Sequence, residues 1–92
     1  MKEPLSPTQA KATILIILTQ GEVTFSGHAD EEMAKDNLTD DDVLNVLRAG
    51  VVEPGEFERQ SWRYRVRTAR IYVVVAFRSE LSLRVVTAWR KK

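Results

Sequence analysis

The last third of the chain, from Arg59 to Lys92, has the side-chain pattern that most limits how the protein can fold. In residues 62–68 every odd position is an arginine: Arg63, Arg65 and Arg67. The even positions are apolar or aromatic, except the last, which is a threonine. A period of two is typical of a strand with one apolar face and one charged face. Two further β-rich segments, Ile71–Phe77 and Leu83–Trp89, follow after short polar turns. The pattern predicts a three-stranded antiparallel meander with cations on one face.

The charges are divided unevenly along the chain, although the formal net charge is only +1. Residues 1–58 contain 4 Lys or Arg against 12 Asp or Glu, whereas residues 59–92 contain 10 against 1. Such a division indicates a polyanionic partner for the basic half. The alternative is that acidic helices neutralise a basic sheet within one fold, and the charge count leaves both interpretations open.

Capping residues predict a first helix before the meander. Ser6, with Pro7 and Gln9 behind it, forms a capping box for a helix that runs to about Gln20. Gly21 is expected to end it as a left-handed C′ residue. The apolar residues of this helix cover more than one stripe, so it is either buried on two sides or leaves a patch for a partner, such as a second copy of the chain.

A short edge strand and two more helices are predicted next. The strand is Glu22–Phe25, and the second helix runs from about His28 or Ala29 to Lys35. Thr39 and Asp42 form the capping box of a third helix, with Gly50 as its C′ residue. The second helix is expected to stop at Asp36-Asn37, because asparagine tolerates positive φ. The third helix is expected over about Asp40–Ala49.

These elements predict one α+β domain over residues 1–92, with the helices on one face of the sheet. The absence of cysteine excludes disulfides and thiolate metal sites. No segment fits a signal peptide, and the apolar run Ala12–Leu18 is too short to span a bilayer. We therefore expect a cytoplasmic bacterial protein that does not contact membranes.

The arginine spacing is the strongest functional signal. Arg63, Arg65 and Arg67 project to one side of a strand, and neighbouring strands are expected to add three more arginines to that side. Phosphates would explain such a row, since a guanidinium binds phosphate oxygens well. The alternative is that Glu56, Glu58, Glu80 and helix carboxylates pair the cations. The three added arginines are Arg78, Arg84 and Arg90.

His28 and Tyr72 are the other candidate site residues. His28 is the only histidine and lies where a strand passes into a helix, which is a common place for a general acid or base. A local hydrogen-bonding role is the alternative. Tyr72 is expected on the arginine face, where it could stack on an RNA base. Trp62 and Tyr64 are expected in the core. Helix capping explains the run of aspartates 40–42, so no metal site or cofactor is predicted.

Three segments together resemble a known family. The run Phe25–Gly50 contains F-x-x-H-A-x-x-E-M followed by an acidic-capped helix; residues 63–66 read R-Y-R-V, and residues 85–89 read V-V-T-A-W. This resembles the bacterial domain-of-unknown-function family 4258 over about residues 22–90. With the leading helix, the element order also resembles the MqsR type of RelE-like messenger-RNA interferase toxin.

The resemblance to the interferase toxins implies a metal-independent endoribonuclease that uses the RNA 2′-hydroxyl as nucleophile. It also implies a cognate antitoxin, often a zinc-binding helix-turn-helix protein. His28 or Glu32 would be the base, and His28 in its protonated form would be the better acid, because an arginine stays charged. The family usually has arginine at the position of Glu32, so one basic group is lost here. The implied phosphate-stabilising residues are Arg63, Arg65 and Arg84, and the implied substrate-binding residues are Arg67, Tyr72, Arg78 and Arg90.

Two other functional classes are compatible with the sequence. The same basic face would serve a non-catalytic RNA-binding module. Alternatively, the apolar first helix would make the chain a protein-interaction domain, with Ile14 and Ile17 in contact with the partner.

Overall fold

The computed structural model describes all 92 residues, Met1–Lys92. Three helices and six strands form an α+β fold, which confirms the predicted class. The helices precede most of the sheet in sequence, with one short strand between the first two. The elements are α1 (Pro7–Gln20), β1 (Glu22–Phe25), α2 (Gly27–Lys35), α3 (Asp40–Ala49), β2 (Val51–Val52), β3 (Glu56–Glu58), β4 (Ser61–Arg67), β5 (Ile71–Ser79) and β6 (Ser82–Arg90).

The sheet is larger than the predicted meander and is mixed. Strands β4, β5 and β6 are the three predicted antiparallel neighbours, and the strand order is β1-β6-β5-β4-β2. At one edge β1 runs parallel to β6, from the pair Glu22 and Ser82 to the pair Phe25 and Val85. The two-residue β2 forms the other edge, and β3 pairs only with β4. The hairpin of β3 and β4 was not predicted as a separate unit.

The predicted helix starts are confirmed by their capping hydrogen bonds. The Ser6 hydroxyl accepts from the Gln9 backbone N–H at 3.1 Å, and the Gln9 side chain accepts from the Ser6 N–H at 3.0 Å. The Thr39 and Asp42 side chains make the same reciprocal pair at 3.1 and 2.9 Å. Hydrogen bonding from Thr39 lowers the pKa of Asp42. Capping therefore accounts for this carboxylate.

The prediction of left-handed glycines at two helix ends is wrong. Gly21 has φ −120° and Gly50 has φ −78°, both with extended ψ. Crowding explains both glycines: a Cβ on Gly21 would collide with the Leu81 carbonyl, and one on Gly50 would lie 2.8 Å from the Arg67 carbonyl oxygen. Asn37, by contrast, has φ 57° as predicted.

The core lies between the three helices and one face of the sheet. The largest fully buried side chains are those of Tyr64, Ile14, Ile17, Leu47 and Leu83. Ile14 and Ile17 therefore pack inward and are unavailable to a partner. Leu15 and Ile16 of α1 are 40% and 46% exposed, so a small apolar patch does remain on this helix.

Lys11 joins α1 to the end of α3. Its Nζ donates to the carbonyls of Leu47, Arg48 and Gly50 at 3.0, 2.7 and 2.8 Å. These carbonyls have no partner within the helix, so the ammonium caps α3 and fixes where β2 begins. Burial lowers the pKa of Lys11. None of the three helices is long and apolar enough to cross a membrane.

Candidate active site

The sheet face that the helices leave uncovered, which we call the open face, carries a groove of about 980 Å³. One wall comes from the junction of β1 and α2, and the other comes from the hairpin of β3 and β4. Small apolar side chains of β5 and β6 form its floor: Val74, Ala76 and Val86. The side chains that give the groove its chemistry are Ser26, His28, Glu58, Arg59, Ser61, Arg63, Arg78, Arg84, Thr87 and Trp89.

Four arginines line this groove without a carboxylate partner. None of them forms an ion pair, and the nearest polar contact is from Arg63 Nε to the Ser61 hydroxyl at 3.5 Å. Glu58 is the only acidic side chain among the lining residues. Like charges placed side by side destabilise a sheet unless an anion lies between them. The groove is therefore suited to an anion. The four arginines are Arg59, Arg63, Arg78 and Arg84.

The strand register leaves space between two of these arginines. Ala76 of β5 is opposite Arg84 of β6. On the other side of β5, Tyr64 of β4 is opposite Val75, so the preceding residue of β4, Arg63, comes next to Ala76. A methyl side chain thus separates two guanidinium groups whose strands are roughly 10 Å apart. This spacing allows both forks to reach one phosphate from opposite sides.

His28 lies at the edge of the groove because Ser26 fixes the start of α2. The Ser26 hydroxyl accepts from the Ala29 N–H at 2.9 Å and donates to the Val86 carbonyl of β6 at 2.8 Å. The helix N-terminus, which favours negative charge, is thereby held against the sheet. His28 lies between β1 and the body of α2, at the strand-to-helix junction, and it lines the groove together with the arginines.

Glu58 is a site residue that sequence reasoning missed. It ends β3, and the two turn residues after it, Arg59 and Gln60, both have positive φ, at 51° and 65°. This tight turn suits a two-residue hairpin, but it lacks the usual Asn-Gly signal. Strand β5 separates the hairpin from β6, so Glu58 and His28 lie on opposite walls. Among the lining side chains, these two are of the types that most often act as a general acid or base.

The part of the chain that contains this groove matches the model of a known protein family. A family model described as a domain of unknown function (DUF4258) matches residues 25–90. The chain belongs to the DUF4258 family. The match covers every groove residue and leaves out α1. Searches of curated proteins and of solved structures give no significant match.

Two of the predicted arginines of this DUF4258 chain are paired with a carboxylate outside the groove. Arg65 donates to Glu53 Oε1 from Nε at 2.9 Å and from an NH2 group at 2.8 Å, and Arg67 Nε donates to Oε2 at 2.9 Å. The hydrogen bond from Arg65 to Glu53 raises the pKa of Arg65. The alternative interpretation of the arginine row thus holds for these two residues, with Glu53 as the partner rather than Glu56, Glu58 or Glu80.

Tyr72 lies on the open face as predicted, but cations already contact its ring. The Arg65 guanidinium carbon lies 4.7 Å and Lys91 Nζ 4.5 Å from the ring centroid. The Trp89 ring is 5.2 Å away and lines the groove itself. Trp89 is therefore better placed than Tyr72 to stack on a base that enters the groove.

The prediction that Arg90 joins the open face is wrong because β6 contains a bulge. Val74 is opposite Thr87 whereas Val75 is opposite Val85, so one extra residue of β6 reverses the alternation. Arg90 instead turns to the helices, where Nε donates to the Asp36 carbonyl at 2.8 Å and the backbone N–H to Asp36 Oδ2 at 2.8 Å. The same bulge brings Trp89 onto the open face.

Glu32 is not among the groove-lining residues of the DUF4258 domain. It pairs with Lys35 at 3.0 Å on the surface of α2 and raises the pKa of that lysine. Glu58 is thus the carboxylate that lies with His28 and the unpaired arginines. No group of three or more His, Cys, Asp or Glu side chains is arranged to hold a metal ion.

Proposed function

We propose that the groove binds single-stranded RNA and cleaves it without a metal ion, as a toxin-type endoribonuclease. The observation that carries this proposal is that unpaired arginines share one groove with two proton-exchanging groups, His28 and Glu58. Arginines can bind phosphate oxygens, but proton transfer requires another type of side chain. The groove supplies both.

In the proposed reaction Glu58 takes the proton of a ribose 2′-hydroxyl. The 2′-oxygen then attacks the adjacent phosphorus, and the bond from phosphorus to the 5′-oxygen breaks. His28, in its protonated form, gives a proton to that leaving oxygen. The products are a 2′,3′-cyclic phosphate and a 5′-hydroxyl, so the substrate must be RNA.

The arginines stabilise the charge that develops on the phosphate oxygens. Arg63 and Arg84 approach from opposite sides of Ala76, and Arg78 lies two residues further along β5 on the same face. Preorganised donors at developing charge are usually the largest contribution to such a rate enhancement. Trp89 stacks on the base next to the cleaved bond.

The same proposal includes the assignment of this chain to the MqsR type of RelE-like interferases. The basic residues on the open face of the sheet, which that resemblance implies, support this part of the proposal. A cognate antitoxin, of the zinc-binding helix-turn-helix kind, is then the expected protein partner. Covering the groove would be a direct way to inhibit it.

The test is cleavage of a labelled single-stranded RNA by the purified protein in EDTA. We expect 5′-hydroxyl product ends, no cleavage of a 2′-deoxy oligonucleotide, and a rate about 10²–10⁴-fold lower for His28→Ala and Glu58→Gln. Glu32→Gln, on the surface of α2, is the matched control. Cleavage of the 2′-deoxy substrate would overturn the mechanism.

One observation favours a non-catalytic RNA-binding module as the second candidate. Neither the His28 ring nor the Glu58 carboxylate has a hydrogen-bond partner that orients it. Catalytic groups are usually held by such partners. Wild-type protein that binds the RNA through Arg63 and Arg84 but leaves it intact would establish this second function.

A further inference from the structure

The arginine row of β4 continues beyond the groove, but one carboxylate occupies its far end. Glu53 binds Arg65 with Oε1 and Arg67 with Oε2, at 2.8–2.9 Å. Each oxygen takes one guanidinium, which is also how two oxygens of a phosphodiester would be shared between neighbouring arginines. We call this arrangement the Glu53 clamp.

The backbone holds Glu53 in this position. Its N–H donates to the Arg65 carbonyl at 2.9 Å and so extends the pairing of β2 with β4. Pro54 follows, and Gly55 packs so tightly that a Cβ there would lie 2.8 Å from Cε2 of the buried Tyr64. The Glu53 side chain is only 24% exposed. The carboxylate is therefore a fixed part of the open face.

Without this carboxylate the far end would have the composition of another nucleotide subsite. Arg65 and Arg67 follow Arg63 at strand steps of roughly 6.6 Å, on the same face. The Tyr72 ring lies beside them, with Lys91 on it. Two forked cations, an ammonium and an aromatic ring suit a phosphate with its base.

We propose that Glu53 is a specificity-determining residue, which fills a phosphate subsite at Arg65 and Arg67 and so ends the RNA track at the groove. This inference rests on the proposed function for the identity of the ligand. It adds a limit to that function: the protein engages a short stretch of backbone, and the far arginines stay closed to phosphate.

The first experiment measures the salt dependence of binding for a labelled oligouridylate of twelve nucleotides. Glu53→Gln opens one phosphate subsite at Arg65 and Arg67, so the slope of log affinity against log salt steepens by about 0.7, the value for one added phosphate contact. The ratio of the RNA affinity of Glu53→Gln to that of wild type then falls by a factor of about 2.6 between 50 and 200 mM salt. Glu31→Gln is the matched control, since Glu31 is exposed on α2, forms no ion pair and lies outside the groove.

An equal slope for Glu53→Gln and wild type, with the RNA bound by both, would overturn the clamp and leave the proposed function standing. An equal steepening in Glu31→Gln would also overturn it, because the effect would then come from net charge alone. Thermal unfolding of each variant reports whether it is folded.

A second measurement uses inorganic phosphate as the probe in place of RNA. In wild-type protein titrated with inorganic phosphate, the Nε–Hε NMR signals of Arg63 and Arg84 are expected to shift, while those of Arg65 and Arg67 stay in place. Shifts of all four would overturn the clamp. If wild type binds no RNA but Glu53→Gln lets phosphate reach Arg65 and Arg67, the proposed function fails and the clamp stands.

Discussion

The two ends of the arginine row on β4 differ in a way that the strand itself does not explain. Arg63 at one end faces a groove with Arg78 and Arg84 and has no acidic partner. Arg65 and Arg67, on the same strand and the same face, are held by Glu53. Whether an arginine is available to a ligand is thus decided by the element packed beside it. For β4 that element is the loop after β2.

The largest expected effect on RNA binding comes from replacing two of the unpaired groove arginines, one on β4 and one on β6. Arg63→Gln with Arg84→Gln should weaken RNA binding by about 100-fold or more, since each substitution removes a charge-assisted hydrogen bond of about 1.5–3 kcal/mol. The slope of log affinity against log salt should become shallower by about 0.7, because these two arginines share one phosphate. Fluorescence anisotropy at several salt concentrations measures both quantities.

The control for that experiment replaces the two paired arginines of β4 together with the glutamate that holds them. The triple change Glu53→Gln, Arg65→Gln and Arg67→Gln should lower the affinity by less than about fivefold, because these arginines are paired with Glu53 and the net charge of the three residues acts on the RNA only through salt-screened solvent. Equal losses in the two variants would show that the ends do not differ.

A second prediction concerns Tyr64, which lies between the two ends and supports the Glu53 loop. Its hydroxyl accepts from the Leu5 N–H and donates to Glu3 Oε2, both at 2.9 Å. Burial, and then the hydrogen bond to Glu3, raise the pKa of Tyr64 to about 12. Because this pKa is higher in the folded state, the associated stability is present below pH 10 and is lost between pH 10 and 12.

Between pH 10 and 12 the free energy of unfolding should fall by about 2–3 kcal/mol, as expected for a difference of about two pKa units between the folded and unfolded states. Tyr64→Phe should not show this part of the decline, although it is less stable than wild type at pH 7. Urea unfolding at pH 9, 10, 11 and 12 compares the two proteins. Parallel curves through this range would contradict the assigned role of Tyr64.

A smaller effect is expected from Gly55→Ala. The added methyl would lie 2.8 Å from the Tyr64 ring, which packs against Phe77 at a centroid distance of 5.2 Å and has no room to retreat. The loop must shift, at about 1–3 kcal/mol of the free energy of unfolding. The Nε–Hε signals of Arg65 and Arg67 should move with it. A variant with wild-type stability and unchanged signals would show that the loop does not hold Glu53.

Local patterns were sufficient to predict the helices and the three long strands. Ser6, Thr39 and the alternation from Trp62 to Arg67 act within a few residues of themselves, so their consequences are readable in the sequence. The site depended on longer-range features. Arg90 was misplaced because the bulge in β6 arises from pairing with β5, and strict alternation cannot include an extra residue.

Glu53 and Glu58 were missed for related reasons. Glu53 reaches Arg65 and Arg67 only because Val51 and Val52 pair with the end of β4. Glu58 enters the groove only because Arg59 and Gln60 take up positive φ without a glycine or asparagine to indicate it. Glu32 was named as a possible base only through the family resemblance, and in the structure it pairs with Lys35 instead.

The apolar patch of α1 remains a separate prediction. Leu15 and Ile16 are exposed, while Ile14 and Ile17 belong to the core. A homo-oligomer through the first helix would therefore use Leu15 and Ile16. This surface is outside residues 25–90, the part of the chain that the family model matches.

The central claim is that the unpaired end of the arginine row, with His28 and Glu58, cuts RNA. The most direct measurement is to induce the protein in bacterial cells and map the RNA ends that carry a 5′-hydroxyl. Wild type is expected to arrest growth and to create new ends, and Glu58→Gln and His28→Ala are expected to do neither. Absence of new ends with wild type, or the same ends with both variants, would contradict the claim.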